Sequence, residues 1–97
     1  MKLENRVAIV TGGSNGIGRA ISIGLAKEGA DVVVNFNADT VAANEAVNEI
    51  KGLGRKAIAI KTDVSKSDQV NRMIKTVFDE FGKIDILVNN AGGSARE

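Results

Sequence analysis

The stretch Val7-Ala8-Ile9-Val10-Thr11-Gly12-Gly13-Ser14-Asn15-Gly16-Ile17-Gly18-Arg19-Ala20 decides the fold. Its first four residues form a continuous apolar run, as expected of a strand buried on both faces. A glycine loop follows at once, and helical spacing of apolar residues begins at Ile17. Glycines between a strand and a helix let backbone approach a ligand closely, while the N–H groups and dipole of the helix start attract an anion. The dipole is equivalent to roughly half a positive charge, and a hydrogen bond to a charged group contributes about 1.5–3 kcal/mol. The stretch therefore predicts a phosphate-binding turn.

Outward from this turn the same alternation continues. Apolar runs at Val7–Val10, 32–34, 57–60 and 84–88 are separated by longer amphipathic stretches, which predicts a parallel sheet covered by helices. The first helix is expected to bury Ile17, Ala20, Ile21 and Leu25, to turn Arg19, Ser22, Lys27 and Glu28 away, and to stop at Gly29. A second, over 40–51, buries Ala43, Val47 and Ile50 and ends at Gly52 or Gly54, although Asn44 and Asn48 are poor helix formers. A third opens on a Ser65/Asp68 capping pair, carries Val70, Ile74, Val77, Phe78 and Phe81, and ends at Gly82. With right-handed crossovers this is a Rossmann-type three-layer α/β sandwich with helices on both faces, for which the common sheet order is 3-2-1-4.

A chain of 97 residues holds at most one compact domain. Its 43% hydrophobic and 26% charged content is that of a globular protein and excludes disordered or collagen-like classes. With 13 basic against 12 acidic residues, alternating signs, three Phe and no Trp or Tyr, there is neither a basic stripe nor a stacking platform for nucleic acid. The absence of Cys and His removes disulfides and the usual transition-metal ligands, so no metal site is expected. The start, Met1 to Arg6, has no signal-peptide core, and no apolar run approaches the roughly 18 residues of a membrane span. The expectation is a cytoplasmic protein without a membrane partner.

Two familiar phosphate loops fail on spacing. Gly13 and Gly18 are set like the glycines of a nucleoside-triphosphatase loop, but Arg19 and Ala20 follow where that loop needs Lys and then Ser or Thr to bind Mg²⁺. In the frame Gly16-x-Gly18, Ile21 takes the place of the third glycine of the common dinucleotide fingerprint. What remains is Thr11-Gly12-x3-Gly16-x-Gly18. Together with Asp63-Val64 after the third run and Asn89-Asn90-Ala91-Gly92 after the fourth, this pattern resembles the short-chain dehydrogenase/reductase family. The likeness extends along the whole chain, corresponds to the first part of a typical member, and is nearest in look to 3-oxoacyl-[acyl-carrier-protein] reductases and glucose dehydrogenase-like members.

The resemblance implies an NAD(P)-dependent oxidoreductase that transfers a hydride between nicotinamide and a carbonyl or alcohol. It implies that Gly12, Ser14, Asn15, Gly16, Ile17 and Gly18 wrap the pyrophosphate and adenosine ribose. Asp63 and Val64 would meet adenine, and Asn90, Ala91 and Gly92 the ribose next to nicotinamide. Residues 1–97 would be the N-terminal part of one nucleotide-binding domain, belonging to a homo-oligomer at full length. Read without the resemblance, the glycines could form only a tight turn, and Asp63 only a turn leading into the Ser65 cap. Thr11 and Asn89 read as structural, bracing neighbouring strand ends.

The end of the second run reads Asn35-Phe36-Asn37. Phe36 stands where an acid would accept from the ribose hydroxyls of NAD, and Asp39 comes late. Asn15 stands where many NADP-using relatives have Arg, leaving Arg19 and Arg6 as substitutes. The balance leans to NADP, with NAD as the alternative. Reduction of a carbonyl also needs a proton donor. The family uses Ser with Tyr-x-x-x-Lys, yet the chain has no Tyr, and Ser94 precedes the place of the family Ser. No catalytic residue is therefore expected, and the chain reads as a cofactor-binding segment ending early, with an exposed apolar edge at 84–88 that invites self-association. Rival readings are a non-enzymatic dinucleotide-binding module and a structural half-domain. Asp68, Asp79 and Glu80 read as solvated helix charges.

Overall fold

The computed structural model describes residues 2–90. Strands β1 (Val7–Val10), β2 (Asp31–Phe36), β3 (Ala57–Lys61) and β4 (Ile86–Val88) alternate with helices α1 (Gly16–Lys27), α2 (Thr40–Gly52) and α3 (Ser67–Phe81). All pairings are parallel and the order is β3-β2-β1-β4, as the sequence predicts. The connection from β1 runs to one side and the strand that follows β3 returns on the other. This reversal opens a crevice at the carboxyl ends of the strands, the usual ligand position in such sheets.

Period-two alternation assigns each strand residue to a layer. Val10, Val32, Val34 and Phe36 join Ala26, Ala43, Ala46, Val47 and Ile50 in a core formed with α1 and α2. Val7, Ile9 and Val33 pack with Met73 and Val77 of α3 on the opposite face. Both β1 and β2 are thus sandwiched between layers, which is why they read as unbroken apolar runs. The outer strands β3 and β4 are only partly covered among the described residues, and Leu87 is 59% exposed.

Five local expectations need correction. Along α1 the buried residues are Gly18, Ser22 and Ala26, while Ile17 is 74% exposed and Ala20 is also exposed. Small side chains at this i, i+4, i+8 stripe bring α1 close to the loop, where the Ser22 hydroxyl donates to Gly18 O at 2.9 Å and Gly13 O at 3.3 Å. Ile21, Ile23 and Leu25 pack partly buried against the same core. The Ser65/Asp68 capping pair does not form: α3 begins after Lys66 without a side-chain cap, and Asp68 instead pairs with Arg72 at 3.6 Å. Ser65 N–H and Oγ–H both donate to Asp63 Oδ1, at 2.9 and 2.6 Å, a charged acceptor that outcompetes the helix start.

Phe78 is half exposed because it lies about 100° around α3 from the buried Val77; the inward positions are Met73 and Val77. Finally, β4 starts at Ile86, not at 84, because the Asp85 carboxylate accepts Val7 N–H at 2.8 Å. Conversely β2 extends to Phe36, since Asn35 and Phe36 pair with Ile60 and Lys61. No helix among the described residues is long and apolar enough to cross a membrane, and no group of three or more His, Cys, Asp or Glu among them could hold a metal ion.

Candidate functional site

The carboxyl ends of the strands bring the glycine loop, Asp63-Val64 and Asn89-Asn90 to one crevice. In the loop after β1, Gly12 and Gly16 have φ of 63° and 54°, a left-handed region that disfavours other residues. Gly18 is required for a different reason. A Cβ there would lie 1.9 Å from Gly12 O and 2.7 Å from Asn90 Nδ2, so the first turn of α1 rests directly on loop backbone.

The same turn is chemically open. The first N–H groups of a helix have no intrahelical acceptors, and the cap residue Asn15, extended at φ −134° and ψ 157°, satisfies none of them with its side chain. No acidic residue stands in the first turn to oppose an anion. Asn15, Gly16 and Ile17 are exposed, whereas Ser14 and Gly18 are buried.

Asp63 and Val64 face the loop across a cavity of about 340 Å³, which Gly12, Asn35, Asn37, Thr62 and Ser65 also line. Asp63 N–H donates to Gln69 Oε1 at 2.9 Å, which fixes the turn after β3. The Ser65 hydroxyl, together with its N–H and aided by Lys66, holds the Asp63 carboxyl below its ordinary range; partial burial opposes this. On the other side Asn90 Nδ2 donates to Gly12 O at 3.2 Å and Asn90 N–H to Thr11 Oγ1 at 2.8 Å. The Thr11 hydroxyl lies 3.2 Å from Val88 O and 3.4 Å from Asn89 Oδ1, so Thr11 braces β1 against the end of β4. Ala91, Gly92 and Ser94 lie outside the described residues.

One residue of the crevice escaped the motif reading. Asn35 is 1% exposed; its Oδ1 accepts Gly12 N–H at 3.1 Å and its Nδ2 donates to Thr62 O at 3.2 Å. The available signal was an amide inside the apolar run Val32-Val33-Val34-Asn35-Phe36, since a buried polar group requires partners.

The residues weighed for cofactor preference are also rearranged. Phe36 is buried in the core with α2, so the exposed residue beside the cavity is Asn37, directly after β2. Asp39 caps α2, its Oδ1 accepting Ala42 N–H at 2.9 Å. Both arginines pair with carboxylates. Arg19 pairs with Glu49 at 3.1 Å and Glu45 at 3.5 Å on α2, contacts that raise its pKa, and Arg6 pairs with Asp85 at 3.6 Å at the opposite end of the sheet.

The family described as short chain dehydrogenase matches residues 6–97. The 3-oxoacyl-[acyl-carrier-protein] reductase FabG of Staphylococcus epidermidis is 49% identical over 88 residues, which are 91% of this chain and 36% of that protein. An uncharacterized oxidoreductase of Methylorubrum extorquens is 47% identical over 91 residues, 94% of this chain and 37% of its own. The crystal structure of a short chain dehydrogenase from Burkholderia cenocepacia in complex with NADP superposes with a TM-score of 0.93 at 42% identity, covering 100% of this chain and 40% of that one. The chain therefore spans well under half the length of these relatives, and the matched part contains all three motif-bearing strand ends. By its sequence and by its parallel four-stranded architecture, this chain belongs to the short-chain dehydrogenase family.

Proposed function

We propose that this chain holds the adenosine and pyrophosphate portions of NADP(H) for an oxidoreductase acting on a carbonyl or alcohol, of the 3-oxoacyl reductase kind. The observation that carries the reading is the cradle formed by the glycine loop and the uncapped, acid-free start of α1, held together at Gly18, where no room is left for a side chain beside Gly12 O. In this reading Gly12, Ser14, Asn15, Gly16, Ile17 and Gly18 surround the pyrophosphate, with the uncapped helix start supplying N–H donors and positive potential. Asp63 and Val64 bound the adenine in the cavity of about 340 Å³. Asn90, tied to Thr11 and Gly12, would orient the ribose next to nicotinamide, together with Ala91 and Gly92. When bound, the dinucleotide supplies a transferable hydride.

NADP is favoured over NAD because the end of β2 offers Asn37 to the cavity and no carboxylate, while Asp39 is occupied as a helix cap. The NADP in the Burkholderia relative supports the same choice. Titration of the chain with both cofactors tests this: saturable binding, tighter for NADP⁺, is expected. NAD⁺ binding tenfold tighter, about 1.4 kcal/mol, would overturn the preference.

Proton transfer to the substrate oxygen requires a donor, and none of the 97 residues is Tyr. Residues 1–97 would then be the N-terminal part of one nucleotide-binding domain, and a Tyr-x-x-x-Lys encoded beyond Glu97 is the expected finding. Location in the cytoplasm and homo-oligomerisation at full length go with this reading; the exposed apolar Leu87 on β4 supports self-association of residues 1–97 by themselves.

A further inference from the structure

Asn35 is the only buried side-chain amide among the described residues, and it sits where the glycine loop leaves β1. Its Oδ1 accepts Gly12 N–H at 3.1 Å; its Nδ2 donates to Thr62 O at 3.2 Å and more weakly to Ile60 O at 3.5 Å. Its main-chain carbonyl accepts Gly13 N–H at 3.0 Å. One residue thus binds the glycine loop on one side and the peptide preceding Asp63 on the other. These are the two walls of the cavity of about 340 Å³. Displacing either wall would strand a polar group in the interior, so the amide sets the distance between them.

We propose that Asn35 is a positioning residue for dinucleotide binding. It fixes the spacing between the loop that takes the pyrophosphate and the Asp63–Val64 wall that takes adenine. This inference rests on the cofactor reading above. A dinucleotide spans both walls, so an error in their spacing weakens its binding even in a fully folded protein.

The ionisable groups around this position are few. Residues 11–18 contain none, Asp63 shares the cavity, Lys61 ends β3 as an exposed residue, and Arg19 is tied to Glu45 and Glu49. A carboxyl introduced by Asn35→Asp keeps an acceptor for Gly12 N–H. Protonated, it can donate to Thr62 O as the amide does; ionised, it faces carbonyl oxygens. Burial among those carbonyls raises its pKa and makes the protonated form accessible in mild acid.

The test is fluorescence titration of the full chain with NADPH at about pH 5 and about pH 8, for wild type, Asn35→Leu and Asn35→Asp, with each protein's melting recorded without cofactor. Asn35→Leu is expected to bind at least about tenfold more weakly at both values. Asn35→Asp should bind nearly as wild type in acid and about tenfold more weakly in base, after the wild-type ratio has removed the contribution of Asp63. If Asn35→Leu does not fold, Asn35→Asp compared with itself across pH gives the same decision. Variants that melt lower yet bind NADPH with wild-type Kd at both pH values would make Asn35 a stability residue and overturn the proposal. Wild type without saturable binding at millimolar NADPH would overturn the cofactor reading, and this proposal with it.

Discussion

Replacing Gly18 by Ala isolates the contact on which the candidate site depends. The added methyl would sit 1.9 Å from Gly12 O and 2.8 Å from Gly12 C, both backbone atoms, whereas ordinary van der Waals contact begins at 3.4 Å. Either the loop or the first turn of α1 must retreat by about 1.5 Å, and no flexible side chain is available to absorb the shift. Asn90 Nδ2, 2.7 Å from the new methyl, must leave as well and give up its bond to Gly12 O. Overpacking of this kind costs about 3 kcal/mol at the upper end of its ordinary range. For a domain of this size that corresponds to a fall in Tm of roughly 12–24 °C. Thermal unfolding measures the loss, and NADPH titration below the lowered Tm measures the damage to the cradle, expected as loss of saturable binding. A variant that melts within a degree or two of wild type and binds NADPH equally well would refute both the packing argument and the assignment of the cradle.

Gly24, also in α1, provides the opposite outcome: nothing lies within 4 Å of its added Cβ, so Gly24→Ala should stabilise by about 0.5–1 kcal/mol in urea melts; destabilisation would reveal an unseen neighbour. The Asp85 carboxyl is held below its ordinary value chiefly by Val7 N–H, then by Lys83 and Arg6, so its contribution is complete above the ordinary carboxylate range and fades as pH falls through the lowered folded pKa. The urea midpoint should therefore drop in acid, and less steeply in Asp85→Asn; part of the drop persists in the variant because Asp63 is lowered too. Equal acid slopes in the two proteins would remove Asp85 from this role. Arg19→Ala should leave the ratio of NADPH to NADH affinity unchanged within about twofold, since Arg19 is engaged by Glu45 and Glu49; a selective loss of NADPH affinity would restore it as a phosphate ligand.

The sequence by itself determined the layer plan and the place of the site. Apolar runs separated by amphipathic stretches point to a parallel sheet with right-handed helical crossovers, for which β3-β2-β1-β4 is a common order, and the sheet has that order. Glycines at 12, 16 and 18 were legible because each solves a local problem, a left-handed turn or a close approach, that other residues cannot solve. Tertiary structure decided which polar groups found each other. Ser65 could cap α3 or close on Asp63, and only the folded turn, with Gln69 holding Asp63 N–H, selects the second. Ser22 counts as a polar outward residue by helical periodicity, yet the closeness of α1 to the loop needs a small side chain there and gives its hydroxyl two carbonyls. Asn35 reads as an anomaly in a strand until β1, β2 and β3 lie side by side and bring it Gly12 and Thr62. Periodicity and steric demand act over a few residues and are written along the chain. A hydrogen bond between residues 23 or 27 positions apart exists only once the sheet has formed.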